Sequence, residues 1–112
     1  MKTPIDYIEF KATDLEKTKT FYHEVFGWEF TDYGPNYVSF SEVGIAGGFE
    51  LSAKPIKNGA LVVLYHNDLK AIQEKVIQNG GTISKEIFEF PGGKRFHFRD
   101  PSGNELAIWS EK

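Results

Sequence analysis

Four polar side chains in this 112-residue chain have types and positions suited to chemistry: Glu9, Arg95, His97 and Glu105. Glu9, His97 and Glu105 can each take or give a proton, which makes them the candidate catalytic acid–base groups. Two carboxylates and an imidazole could also hold a divalent ion at a shifted site. Alternatively, Glu9 and Glu105 beside Arg95 could form an ion-paired network that orients a ligand. Tyr7, Tyr65 and Trp109 add rings that can stack on a planar molecule or attract a cation, with Trp28 or Phe49 as further candidate walls. The chain has no cysteine, so it has no thiol nucleophile and no thiolate zinc site. No hydroxyl stands beside an obvious base, and acyl transfer has no support. His23 falls among Lys19, Thr20 and Glu24 on a polar helix face and reads as a solvated surface residue, and His66 ends a strand before Asn67-Asp68 and reads as a satisfied strand-end residue. Gly44-Ile45-Ala46-Gly47-Gly48 and Gly92-Gly93-Lys94-Arg95 lack the spacing and strand-to-helix setting of phosphate loops and read as turns or a flap.

The elements that must position these residues follow from periodicity. Ile5 to Ala12 alternates, with Ile8, Phe10 and Ala12 on one face and Tyr7, Glu9 and Lys11 on the other. Asp14 is a helix N-cap, and Leu15, Thr18, Tyr22, Val25 and Phe26 recur at helical spacing until Gly27. Strands are predicted at Trp28 to Tyr33, Tyr37 to Ser41 and Ile45 to Leu51. After a polar, Pro- and Gly-bearing stretch the pattern restarts: a strand over Ala60 to Tyr65, a second N-cap at Asp68, and a helix through Leu69, Ile72, Val76 and Ile77 ending at Asn79-Gly80-Gly81. Strands follow at Thr82 to Ser84, with a continuation toward Phe88, then at Arg95 to Arg99 and Glu105 to Ser110. Asp100-Pro101-Ser102-Gly103 has the residue order of a type I turn.

The predicted fold is therefore α+β, with two tandem βαβββ modules forming a curved mixed sheet around a cavity. It is a single domain over residues 1–112, with module 1 at about 4–52, a connector at about 53–59 and module 2 at about 60–112. One helix covers only one face of each sheet, which leaves the other faces to line the cavity. Ile8, Phe10, Val62, Leu64, Leu106 and Ile108 are expected under the helices. Tyr7, Glu9, Leu61, Val63, Tyr65, Glu105, Ala107 and Trp109 are expected on the concave side. Net charge is −3 with the basic residues spread along the chain, so no phosphate-backbone stripe exists and nucleic acid is not an expected partner. No stretch has the length of a membrane span, and the lack of cysteine fits a cytoplasmic protein.

Taken together, Tyr7-Ile8-Glu9-Phe10 with Asp14, Phe21-Tyr22, Val25-Phe26-Gly27-Trp28-Glu29-Phe30, Asp68-Leu69, Gly80-Gly81 and Phe98-Arg99-Asp100-Pro101-Ser102-Gly103-Asn104 resemble the vicinal oxygen chelate superfamily. That superfamily holds glyoxalase I, extradiol dioxygenases and bleomycin-resistance proteins, and the chain looks most like its branch of small glyoxalase-related proteins. The resemblance implies a metal held from the first and last strands of each module. Carried over by spacing, those positions are Tyr7, Gly48, Leu61 and Ala107, of which three have no side-chain donor. The expectation is a protein without the family metal and with no cofactor, a shifted divalent ion being the lesser alternative. It would bind a small aromatic or cationic molecule through Tyr7, Glu9, Tyr65, Arg95, His97, Glu105 and Trp109. A glyoxalase-like lyase or isomerase, or a dioxygenase-type enzyme, is the alternative function, and a ligand-free dimeric interaction module is the third. The resemblance also implies a homodimer.

Overall fold

The structure is a computed structural model and describes residues 2–112. Its elements run β1 (Tyr7–Ala12), α1 (Leu15–Phe26), β2 (Phe30–Asp32), β3 (Tyr37–Phe40), β4 (Ala46–Leu51), β5 (Val62–Tyr65), α2 (Leu69–Gln78), β6 (Thr82–Phe90), β7 (Gly93–Arg99) and β8 (Glu105–Ser110). This is βαβββ twice, as the periodicity predicts. Each module forms its own four-stranded sheet, ordered β1-β4-β3-β2 and β5-β8-β7-β6. The first strand of each module pairs in parallel with its last, which requires the crossover that the helix supplies. Strands β1 and β5 are both sheet edges. Among the described residues no helix is long and apolar enough to cross a membrane.

Local chemistry sets the helix ends. The Asp14 carboxylate accepts from the Lys17 amide at 3.0 Å, and Asp68 repeats this with Ala71 at 3.1 Å. Helix α1 stops at Gly27, whose φ of 75° is open to glycine at little cost and whose N–H bonds the His23 carbonyl at 2.9 Å. That left-handed step turns Trp28 back into the interior, so β2 begins at Phe30 rather than at Trp28. Trp28 stacks on Tyr22 at 4.9 Å, and Phe49 lies 5.1 Å from both Phe10 and Tyr22. Both residues therefore belong to the helix-side core, not to a concave wall. In module 2, β6 runs past Ser84 to Phe90 because its hairpin with β7 keeps pairing through register shifts at Ile83/Lys85 and Lys85/Phe88.

The modules share one core. Phe98 of β7 lies 6.1 Å from Phe21 and 5.8 Å from Phe26 of α1, so a ring from module 2 is packed by the helix of module 1. A polar seam runs beside it. Asp100 is 3% exposed; its carboxylate accepts from the Tyr22 hydroxyl at 2.8 Å, the Asn104 side-chain amide at 3.0 Å and the backbone amides of Ser102 and Asn104 at 3.0 Å. Asn104 in turn donates to the Lys11 carbonyl at 2.6 Å, and Ser102 accepts from the Thr13 amide at 3.0 Å. The predicted turn is present, closed by Gly103 N–H to Asp100 carbonyl at 2.9 Å, and it also fastens module 2 to module 1.

Two outcomes follow for this seam. Asp100→Ala leaves the Tyr22 hydroxyl and the Asn104 amide buried without their acceptor and should cost about 3 kcal/mol in urea unfolding, against about 1 kcal/mol for Tyr22→Phe. Burial holds the Asp100 carboxyl above its ordinary 3.8, although hydrogen bonds from Asn104, Tyr22 and Ser102 pull it back. The folded chain then binds this proton at higher pH than the unfolded chain. The contribution of Asp100 to stability therefore falls as pH rises from 3.8 through the raised folded value. Unfolding curves of wild type and Asp100→Asn over that interval should diverge in this direction; a parallel pH dependence would refute it.

Candidate functional site

Cross-strand register sorts the second sheet's exposed face into rows. Tyr65 stands opposite Trp109, Trp109 opposite Arg95, and Arg95 opposite Phe88. The next row is Val63, Ala107, His97 and Lys85, and the row after it pairs Glu105 with Arg99. Residues opposite one another share a face. Five of the candidates, Tyr65, Arg95, His97, Glu105 and Trp109, are thus gathered on one surface. The opposite face carries Val62, Leu64, Leu106 and Ile108 toward the helices, as predicted.

On this surface His97 is 8% exposed, and its Nδ1 lies 3.2 Å from Glu105 Oε2, which also accepts from the Ser84 hydroxyl at 3.0 Å. Partial burial pushes the Glu105 carboxyl up. The hydrogen bonds from Ser84 and His97 and the charges of His97 and Arg99 outweigh this and hold it below its ordinary value. An ionised Glu105 accepts a hydrogen bond from Nδ1–H, and in the neutral ring Nε2 is then the nitrogen that carries the lone pair. That nitrogen is buried without a partner, and so is Nε of Arg95. The Arg95 guanidinium lies 5.3 Å from the Phe88 ring and 5.5 Å from Phe90, while Lys85 Nζ lies 4.7 Å from Phe88. Arg95 therefore sits on an aromatic shelf and not in a network with Glu9 and Glu105. Trp109 lies 5.3 Å from Tyr65 and 6.4 Å from Phe90, and the Tyr65 hydroxyl donates to Glu111 at 2.6 Å.

The matching face of the first sheet holds Tyr7, Glu9, Lys11, Tyr37, Ser39, Gly48 and Glu50. Its polar groups are satisfied among themselves. Tyr7 and Tyr37 share a hydroxyl–hydroxyl hydrogen bond, and Lys11 pairs with Glu50 and, at 3.4 Å, with Glu9. Burial first, then Tyr7 and Glu9, hold the Tyr37 hydroxyl proton well above the usual phenol range. Glu9 and Glu105 approach each other only across a cleft of about 210 Å³, which Leu61, Ile56, Asn58 and Asn104 also line. The candidates Tyr7 and Glu9 thus lie on one sheet and the other five on its neighbour.

A family metal does not fit these residues. Leu61 and Ala107 carry no donor, and a side chain at Gly48 would run into the Tyr37 phenol, which fills the space a ligating carboxylate would need. Among the described residues no three His, Cys, Asp or Glu side chains gather closely enough to hold an ion. Tyr37 is the site residue that sequence reasoning missed. The available signal was its place on the same face of β3 as Ser39, the residue opposite Gly48. His23 and His66 are local: His23 Nδ1 meets the Trp28 carbonyl at 3.0 Å, and His66 Nδ1 accepts from the Asp68 amide at 3.0 Å.

Comparison with known proteins agrees with this geometry. The profile of the Glyoxalase/Bleomycin resistance protein/Dioxygenase superfamily matches residues 4–108. A glyoxylase-like domain-containing protein of Didymella fabae is 32% identical over 93% of this chain and 91% of its own length. Among solved structures, a glyoxalase-related enzyme of Fulvimarina pelagi superposes with a TM-score of 0.83 at 18% identity, covering 97% of this chain and 88% of that one. The fosfomycin resistance protein FosX of Listeria monocytogenes superposes with a TM-score of 0.82 at 16% identity, covering 98% and 94%.

The two neighbouring glycines of β4 should respond differently to a methyl group. At Gly47 a Cβ would meet the Ile8 carbonyl oxygen within the β1–β4 ladder and the Phe40 ring, so Gly47→Ala should cost about 2–3 kcal/mol. At Gly48 it meets only the Tyr37 phenol, a side chain that can swing outward, so Gly48→Ala should cost about 1 kcal/mol. Combining it with Tyr37→Ser should remove that cost. A double-mutant cycle on chemical unfolding reads the coupling, and strict additivity would show that Tyr37 does not fill the position.

Proposed function

We propose that this chain, which belongs to the Glyoxalase/Bleomycin resistance protein/Dioxygenase superfamily, binds a small aromatic molecule on the second sheet and uses no metal to do so. The observation that carries the reading is the pair of buried, unpartnered nitrogens on Arg95 and His97, set among Phe88, Phe90 and Trp109. A buried polar atom without a partner costs free energy that a ligand can recover, and rings around it supply apolar contact. Tyr65 and Trp109 would form one wall, while Tyr7 and Glu9 would bound the site from the first sheet. A cationic ligand is less favoured on this surface, because Lys85 and Arg95 already occupy the faces of Phe88 and Phe90. FosX, by its description a fosfomycin resistance protein, supports a small-molecule role for this scaffold.

The His97–Glu105 pair favours a second reading, proton transfer to or from the bound molecule, because a carboxylate on Nδ1 orients the imidazole. Turnover of a methylglyoxal–thiol adduct that disappears in Glu105→Gln would establish it. We also propose a cytoplasmic homodimer. Beside edge strands β1 and β5, Leu61 and the 79% exposed Ile5 stand outside the ligand site, and a second copy covering them would bury this apolar surface. Light scattering should return twice the chain mass of 12.7 kDa.

The binding reading is tested by titrating tryptophan fluorescence with a broad panel of small aromatic metabolites and antibiotics. Trp109 is half-buried on the site and Trp28 is in the core, so a response lost in Trp109→Phe locates binding on the second sheet. Tyr65→Ala should weaken it by about tenfold, the loss of one aromatic wall. No response across the panel would refute the reading, and stoichiometric Mn, Fe, Ni or Zn in the purified protein would refute its metal-free form.

A further inference from the structure

Resting on the binding site just described, we propose that its ligand is a planar carboxylic acid that also carries a hydroxyl or N–H group, the carboxylate lying on Arg95 and the donor on His97 Nε2. Three features of the second sheet point to this class, and none depends on how relatives use the fold.

The first is charge without a counter-ion. The face carries Lys85, Arg95 and Arg99 against Glu105, and Glu111 at its end is engaged by Tyr65. Glu105 is engaged by Ser84 and His97, and among the described residues no carboxylate is within salt-bridge distance of Arg95. A guanidinium is planar and matches a carboxylate through parallel N–H donors, so the missing partner of Arg95 is an anion of that shape. The second is hydrogen-bond polarity. Nε of Arg95 can only donate. In the neutral ring, with Nδ1–H donated to Glu105, Nε2 of His97 can only accept, so the molecule that satisfies both brings an acceptor and a donor. These residues are two apart on β7 and project to the same side, which places their Cα atoms about 7 Å apart, within the span of one substituted ring. The third is shape. Ala107, opposite His97, is fully buried, while Trp109, opposite Arg95, is only half-buried, so a flat molecule would lie against the indole with its polar edge toward β7.

Because Nε2 is closed off in the free protein, the ligand reaches it by displacing the Phe88 ring, whose centroid is 5.9 Å from that of the imidazole. Phe88 lies at the register shift of β6, where ladder pairing is already interrupted and a side-chain displacement disturbs least.

The experiment is a ligand-observed NMR titration with five probes of one ring size: benzoate, 2-hydroxybenzoate, 3-hydroxybenzoate, phenol and benzylammonium. At least one hydroxybenzoate should bind about tenfold more tightly than phenol or benzylammonium and several-fold more tightly than benzoate, the value of one charge-assisted and one neutral hydrogen bond. Arg95→Gln should weaken benzoate and hydroxybenzoate alike by about tenfold. Arg95→Lys, which keeps the charge but not the planar fork, should fall between the two and serves if Arg95→Gln does not fold. His97→Phe should bring the hydroxybenzoate down to the affinity of benzoate. Benzylammonium or phenol binding as tightly as the acids would overturn the acid assignment and leave the aromatic site standing. Failure of all five probes to bind would overturn the assignment together with the site it rests on.

Discussion

The fold depends on one carboxylate. Asp100 closes the turn between β7 and β8, accepts the Tyr22 hydroxyl from α1 and holds Asn104, which reaches the Lys11 carbonyl in β1. Two repeats of βαβββ have no intrinsic reason to adopt one relative orientation, since each could bury its helix against its own sheet. The shared rings Phe21, Phe26 and Phe98 favour contact between the modules but do not fix its angle, because apolar contact is non-directional. Hydrogen bonds to a buried carboxylate are directional, and leaving any of them unmade is costly. The seam therefore does for orientation what the aromatic core does for affinity.

Much of this was legible in the sequence and some was not, for reasons that differ by residue. Alternation and capping residues located every element, and they gave the α1 cap at Gly27 because a left-handed residue there needs no tertiary context. The buried role of Trp28 was not legible, since an aromatic after a helix suits a strand as well as a core until the turn direction is known. The division into two sheets was also hidden. Sequence periodicity assigns faces, but hydrogen bonding between β1 and β5 depends on how the modules dock, and both remain edges here. In the site, alternation placed Tyr65, Arg95, His97, Glu105 and Trp109 on one face without error, because each lies in a regular part of its strand. Tyr37 was missed because its role arises from contact with a glycine on another strand, where the informative feature is the absence of a side chain.

That absence explains how the two modules have diverged within one architecture. In the first sheet the phenol of Tyr37 fills the volume above Gly48 and bonds Tyr7, and Lys11 pairs with both Glu9 and Glu50. Every strong polar group there has a partner inside the sheet, so the surface presents little unmet demand. In the second sheet the equivalent last-strand position is Ala107, which is fully buried in its row between Val63 and His97. The unsatisfied nitrogens of Arg95 and His97 stand beside it. Duplication supplied the same scaffold twice, and side-chain pairing on one copy leaves the unpartnered buried nitrogens on the other.

In the proposed site, what the second sheet can recognise is set by the geometry of its own donors and acceptors. A bound ion would accept many oxygen donors in several orientations, whereas a guanidinium on an aromatic shelf and an imidazole with one defined lone pair accept few. In the neutral imidazole the lone pair falls on Nε2 because the Glu105 carboxylate accepts from Nδ1–H, and the Ser84 hydroxyl and the Arg99 charge help hold that carboxylate ionised. Ser84 lies on β6, His97 and Arg99 on β7, and Glu105 at the start of β8, directly after the turn that Asp100 holds. The hydrogen-bond polarity of the site is thus tied to the same turn that orients the modules, since a shift in the start of β8 would move Glu105 away from Nδ1 and free the imidazole to change tautomer.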